Sequence, residues 1–220
     1  LCLVAPERFP ATEATVLAAG ADDVLDRARV FPDVRSAVAD CGFVVGTTAR
    51  SRHLPWRTVE PREAAREIAA ASKASEVAVL FGAERTGLTN DDLELCQALV
   101  TIPTGSVYAS LNVAMAVQVI AYEIRLALRD EPDSGRTAGV PLASARDMEQ
   151  FYLHLEQVLE EIEFRDRTGE GHLMARIRRM FNRVVPDQNE INILRGILTA
   201  VQGKRRRAGD PHATRSVPSP

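Results

Sequence analysis

The sequence predicts an α/β protein with a parallel sheet, followed by a small helical domain. Three observations carry that prediction. Over the first 130 residues, short apolar runs alternate with amphipathic stretches, as in sheets whose strands are joined by crossover helices. Residues 131–146, EPDSGRTAGVPLASAR, carry Pro, Gly and Ser without periodicity and read as a linker. Beyond them, apolar residues recur at helical spacing.

Taken in order, LCLVAP at the start is a strand. It has no initiator Met and no basic flank, so it does not read as a signal peptide. ATEATVLAAGADDVL is a helix ending near Gly20, and RSAVADC is a second, short one. GFVVGTTAR is a buried strand running into a polar loop. PREAAREIAAASK is a helix with Pro61 in its first turn, where a missing N–H costs nothing. EVAVLFGAERTGLT is a strand followed by a glycine-bearing loop. NDDLELCQA is a helix with Asn90 as N-cap and acids in its first turn. LVTIPTG is the last strand, and the apolar helix from about Leu111 to Leu128 closes this part. In the helical domain, 147–202, DMEQFYLHLEQVLEEI places Phe151, Leu155, Val158, Leu159 and Ile162 on one face. GHLMARIRRMFNRV and DQNEINILRGILTAVQ are two further helices. Residues 203–220, GKRRRAGDPHATRSVPSP, are basic, lack apolar periodicity and read as a disordered tail.

Composition narrows the function. At 220 residues and 45% apolar, the chain supplies a real core. The most apolar stretch is interrupted by Gln118, Glu123 and Arg125, which argues against a membrane span. Cys2, Cys41 and Cys96 lie far apart without metal-ligand spacing, so neither zinc nor a disulfide framework is expected, and a reducing cytoplasm is the simplest setting. The formal charge of -3 is no global nucleic-acid signature. Of the 27 Lys and Arg residues only Lys73 and Lys204 are lysine, a bias that suits phosphate binding but also fits codon usage.

In a parallel α/β sheet, ligands collect beyond the carboxyl ends of the strands. Three loops lie there: Gly46 to Arg52 (GTTARSR), Phe81 to Leu88 (FGAERTGL) and Thr101 to Asn112 (TIPTGSVYASLN). None is a Walker A loop or a dinucleotide fingerprint, and no Ser/His/Asp set or metal cluster is visible. Single loop glycines read as tight turns; three polar loops at consecutive strand ends read together as a binding face.

At these residues the chain resembles a known family. VLFGAERTGLTNDDLELCQALVTIPTG followed by YASLNVAMAVQVIAYEI resembles motifs 2 and 3 of the SpoU-type (SPOUT) RNA 2'-O-methyltransferases, in order and at matching separation. GTTARSRHLPW and the C-terminal FYLHLEQVLEE, MARIRRMFNR and NEINILRGIL narrow the resemblance to the TrmJ-type branch, which methylates the ribose of nucleotide 32, cytidine or uridine, in the tRNA anticodon loop. The resemblance runs to about residue 202. It implies a methyltransferase domain over 1–130 with a deep C-terminal trefoil knot, and a homodimer packed through the knot helices. It also implies a helical tRNA-binding domain and S-adenosyl-L-methionine as the methyl donor.

Carried over position by position, the resemblance places the donor among Thr47, Thr48, Ala49, Gly82, Ile102, Ala109, Ser110 and Leu111. Ala109 stands where relatives often have Ser, so only a backbone contact would survive there. Glu84, Ser110 and Asn112 match the motif acid, serine and asparagine of the catalytic site, to build and orient it. The family residue assigned to the reacting hydroxyl is an Arg of an N-terminal strand and helix, motif 1. LCLVAP aligns with the strand after that element, so the chain is expected to be a fragment; the alternative is a non-catalytic RNA-binding homologue that has lost motif 1.

For RNA, Arg50, Arg52 and Arg85 lie in or beside the loops, within reach of phosphates, while Arg85 also reads as an ion-pair partner holding its loop. Arg176, Arg179 and Arg183 share one helical face in a segment without acids. Two readings are open for them: a grip on the tRNA backbone, or a solvated face neutralised by Glu156, Glu160, Glu161 and Glu163.

Overall fold

The computed structural model describes residues 1–49, 56–105, 111–130, 140–164 and 172–208. Its central strand shows why the sheet is buried on both faces. In β3 (Cys41–Thr47) five consecutive residues are buried, and the two-residue period of a strand sends them to opposite sides. Phe43 and Val45 enter one core with Ala64, Ile68 and Ile120, while Val44 enters another with Val38, Leu93 and Leu99. A run apolar at every position suits two covered faces, as expected of a parallel strand.

Four strands form that sheet in the order β4 (Thr58–Val59), β6 (Ala98–Val100), β3, β5 (Glu76–Leu80), and every pair is parallel. β1 (Cys2–Val4) and β2 (Arg29–Phe31) form a separate parallel pair. β2 and β4 were not expected from the sequence: strands of three and two residues are too short to show alternation. The helix expected to end near Gly20 is α1 (Thr12–Leu17), followed by a turn at Ala19 and Gly20 through positive φ, and the residues beyond it form a second short helix, α2 (Asp22–Asp26).

The remaining helices of this domain keep their places. α3 (Val34–Ala37) is capped by Asp33, whose carboxylate accepts from Ser36 N at 2.7 Å. α4 (Pro61–Ala71) buries Ala64, Ala65, Ile68 and Ala69, a small-residue face that lets α6 (Val113–Asp130) pack closely on it. α5 (Asn90–Leu93) is capped by Thr89 rather than Asn90. Thr89 Oγ1 accepts from Asp92 N, and Asp92 accepts from Thr89 N, so two orphan donors are satisfied reciprocally. Asn90 has no reciprocal acid at that spacing, which is why the threonine is the cap.

The helical domain consists of α7 (Ala145–Glu161), α8 (Leu173–Val184) and α9 (Gln188–Ala208) around Met148, Phe151, Tyr152, Val158, Ile191 and Leu198. Of the apolar face read for α7, Phe151 and Val158 are buried, whereas Ile162 lies past the helix end and is exposed. α9 runs six residues beyond the expected start of a disordered tail at 203. Lys and Arg are good helix formers, which offsets the cost of Gly203.

Residues read as linker up to 146 are in part anchored, since Ser144 caps α7 and the segment before it is stitched to both domains. Leu142 N donates to Ser75 Oγ at 2.9 Å, Ala143 N to Pro186 O at 2.9 Å and Arg146 N to Ala39 O at 2.9 Å. Gly42 permits this seam: a Cβ there would stand 2.8 Å from Ser75 Cβ and 2.9 Å from Leu142 Cβ. Side chains tie the same junction. Arg178 on α8 donates to both Glu149 oxygens, at 2.7 and 3.0 Å, and Glu149 also pairs with Arg35 on α3. Burial alone would raise the Glu149 pKa, but the hydrogen bonds and charges of Arg178 and Arg35 outweigh it and hold the carboxyl below its ordinary value. Asn182, buried, donates to Glu94 O and accepts from Tyr152 OH, each at 2.8 Å.

Candidate functional site

Three strands deliver three loops to one cavity. Thr48 N donates to Val100 O at 3.0 Å, prolonging the β3–β6 pairing, and Thr47 Oγ1 donates to Leu80 O at 2.8 Å, tying the end of β3 to that of β5. Beyond β5, the chain folds back on itself where Gly87 N donates to Ala83 O at 2.7 Å. Only glycine fits at position 82 in that fold: a Cβ there would fall far inside van der Waals contact with the Gly87 carbonyl carbon and the Leu88 nitrogen. The third loop reaches α6 through Leu111 and Asn112.

The enclosed space is about 350 Å³. Its walls are mostly apolar, with Phe81, Leu88, Val100, Ile102, Leu111 and Val113, and polar groups come from Thr47, Thr48, Glu84, Thr86 and Thr104. That is the make-up of a small-molecule site, where a few placed polar groups orient a largely apolar ligand surface.

Asn112 links the third loop to both α6 and the second loop. Its Oδ1 accepts from Ala114 N at 2.8 Å and its backbone carbonyl accepts from Ala116 N at 3.0 Å, so it caps α6. Its amide is not spent by capping, because Nδ2 donates to Glu84 Oε1 at 2.9 Å. One side chain thus starts the helix and orients the acid of the second loop.

Of the residues singled out in the sequence, Thr47, Thr48, Ala49, Gly82, Glu84, Ile102 and Leu111 line this cavity. Ala109 and Ser110, with Arg50 and Arg52, lie outside the described residues. Arg85 is exposed on the second loop and engages a partner. Sequence reasoning missed Val113 and Ala116, whose place on the first turn of α6 turns them to the cavity, and Thr104, which only the return of the third loop brings near.

Arg176, Arg179 and Arg183 line a different cavity, of about 190 Å³, at the amino-terminal ends of β4 and β6. Trp56, Arg57, Cys96 and Gln97 form its other wall. Glu156, Glu160, Glu161 and Glu163, read from the sequence as able to neutralise that basic face, do not line it. Glu149 does engage α8, through Arg178.

Cys41 and Cys96 are placed where a thiolate is disfavoured. Burial pushes the Cys96 thiol far up, helped by the Asp92 charge, and burial with Glu76 pushes Cys41 up to about 11. Among the described residues no group of three His, Cys, Asp or Glu is placed to hold a metal, and no helix is long and apolar enough to cross a membrane.

Comparison with known proteins gives this geometry a context. Residues 1–122 match the SpoU rRNA Methylase family, and residues 146–212 match the family described as tRNA methyltransferase TrmJ, C-terminal domain. The chain is 44% identical over 206 residues to a Yersinia enterocolitica protein named tRNA (cytidine/uridine-2'-O-)-methyltransferase TrmJ, covering 92% of this chain and 80% of that protein. A Sodalis glossinidius protein of the same name is 47% identical with the same coverage. Among solved structures, TrmJ from Z. mobilis ZM4 superposes with a TM-score of 0.76 at 34% identity, covering 92% of this chain and 86% of that one. A probable methylase family protein from Haemophilus influenzae Rd KW20 gives 0.57 at 35% identity, covering 94% and 86%.

Proposed function

The chain belongs to the SpoU methylase family of RNA 2'-O-methyltransferases and carries a TrmJ C-terminal domain, and from that premise we propose that it methylates the ribose 2'-hydroxyl of nucleotide 32, cytidine or uridine, in the tRNA anticodon loop. The methyl donor is S-adenosyl-L-methionine. The observation that carries this reading is the convergence of all three strand-end loops on one cavity of about 350 Å³, in a chain whose relatives carry the tRNA 2'-O-methyltransferase name.

The residues present fit the donor. A nucleoside with an aliphatic tail needs apolar walls, close backbone approach and few polar contacts, and the Gly82 fold with Phe81, Leu88, Ile102 and Leu111 supplies these. When bound, the donor supplies a methyl group already activated on a sulfonium sulfur. What the protein must add is alignment of a weakly acidic hydroxyl and a path for its proton, so positioning dominates. Thr47, Thr48, Ala49, Gly82, Ile102 and Leu111 hold the donor, joined by Ala109 and Ser110. Glu84, kept in place by Asn112, fixes the second loop against the third, and Ser110 is assigned with them to building the catalytic site. Arg50, Arg52 and Arg85 take tRNA phosphates beside the cavity.

The donor cavity opens next to α6, whose Met115, Val117, Tyr122 and Leu128 are exposed. That apolar face packs across a homodimer, and the loops before α6 form the trefoil knot. Three free cysteines suit the cytoplasm as the compartment.

The experiment is methyl transfer from labelled S-adenosyl-L-methionine to tRNA by the full-length protein, with the product mapped by nuclease digestion and mass spectrometry. A single 2'-O-methyl at nucleotide 32 is expected. Transfer to a base, or to a ribose elsewhere, overturns the assignment.

A further inference from the structure

The cleft between α8 and the edge of the sheet is not needed to hold a methyl donor, yet its chemistry is specific. Its wall carries Arg57, Arg176, Arg179 and Arg183 and no acidic residue. Arg57 is neutralised by Glu67, to which it donates at 2.7 Å, so the excess positive charge comes from α8. There, Arg179 spends only its Nε, on Ala175 O at 3.3 Å, and Arg183 has no ion-pair partner among the described residues. A second observation comes from the opposite wall. Gln97 is 9% exposed, its backbone N–H donates to Val44 O at 2.9 Å and its Oε1 accepts from Val44 N at 2.7 Å. Its Nε2 has no hydrogen-bond partner among the described residues, although a buried donor without one is costly. Guanidinium groups on one side and an unused buried amide donor on the other ask for an anion with several acceptor oxygens.

We propose that this cleft binds a backbone phosphate of the tRNA remote from the reacting nucleotide, as a subsite built jointly by the two domains. The proposal rests on the reading of the chain as a tRNA methyltransferase, because only a polyanion already held at the active site would bring a phosphodiester here. A split site gives substrate selection a structural meaning. The phosphate is reached only when α8 stands where Glu149 and Asn182 hold it, so the cleft measures the distance between the target nucleotide and another part of a folded tRNA.

The test is filter binding of intact tRNA to the full-length protein across a salt series, comparing wild type with the double variant Arg179→Gln/Arg183→Gln. The variant is expected to weaken binding on the order of tenfold and to flatten the slope of log Kd against log salt by about one to two. KM for tRNA rises, kcat at saturation and donor affinity stay unchanged, and Arg179→Lys/Arg183→Lys restores most of the slope. Removing one charge from exposed Arg66 on α4, as Arg66→Gln, leaves all of these unchanged. A double variant with wild-type affinity and slope overturns the subsite, as does equal weakening by Arg66→Gln, or binding of inorganic phosphate alone with no effect on tRNA. Failure of the functional reading is a separate result: wild type that binds tRNA through this cleft but methylates nothing.

Discussion

The donor cavity and the junction cleft use opposite means to hold a ligand. At the carboxyl ends of β3, β5 and β6 the walls are backbone and apolar side chains, and the tightest constraint is the absence of a Cβ at Gly82. At the amino ends of β4 and β6 the walls are long side chains, with three arginines on a helix of the other domain facing Arg57 beside the sheet. The first kind of site is specified by loop shape and is intolerant of added volume. The second is specified by charge and by how firmly two domains are held together, so it responds to salt and pH.

The sharpest way to separate them is Gly82→Ala. The new methyl group meets backbone atoms of Gly87 and Leu88 that cannot move aside without opening the loop. We expect donor binding to be abolished in calorimetry and stability to fall by about 3 kcal/mol, the upper end for overpacking. Retained tRNA binding in the same variant confirms that the two sites are distinct, and a variant that still binds the donor contradicts the role given to this loop.

Glu149→Gln probes the junction in turn. It leaves the largely buried Arg178 guanidinium without its carboxylate, and we expect a loss of about 2 kcal/mol, less than for a fully buried pair because Glu149 is partly solvated. tRNA affinity should drop with donor affinity unchanged, the reverse of the glycine variant. The pH dependence has a fixed sign. Arg178 and Arg35 hold the Glu149 pKa below its ordinary value despite burial, so its contribution is complete above about 4.3 and is lost as pH falls through the lower folded value. The gap in melting temperature between wild type and Glu149→Gln should therefore be widest near neutrality and close in acid. A gap that widens in acid would reverse this account.

Asn112→Asp is the smallest and most discriminating change. Aspartate caps a helix as well as asparagine does, so α6 and the melting temperature are preserved. The donor to Glu84 is lost and two carboxylates face each other. We expect kcat to fall about tenfold, equivalent to about 1.4 kcal/mol, without loss of fold. An unchanged kcat would reduce Asn112 to a cap.

The same contrast explains what could be read from the sequence. The donor cavity was legible because three polar loops follow apolar runs, and the family resemblance then singled out Gly82, Glu84 and Asn112 within them, which the structure brings together. The cleft was half legible. The spacing of Arg176, Arg179 and Arg183 gave their shared face, but not that Arg57, Trp56 and Gln97 stand opposite, because that pairing arises from tertiary packing across more than 70 residues of sequence. Gln97 left one trace: a lone polar residue within the apolar run LCQALV. Its reason is now physical, since its amide completes the hydrogen bonding of Val44 where β6 has not yet begun. β2 and β4 were illegible because so few residues carry no period, and the extent of α9 because basic composition suits both a tail and a helix.

Gly42 bears on how this protein can be taken apart. Because no side chain intervenes there, Leu142 lies against Ser75, and the strand of chain entering the helical domain is sewn to the sheet before α7 begins. A cut placed at the sequence-level boundary near 146 would therefore leave Leu142 and Ala143 on the wrong fragment and strip Pro186 and Gln188, at the start of α9, of their bonds to Ala143 and Pro141. Dissection for isolated-domain work, or a protease site engineered for the same purpose, belongs before Val140, which keeps Pro141, Leu142 and Ala143 with the helices they bond, although separating the halves still breaks the bonds of Leu142 to Ser75 and of Arg146 to Ala39.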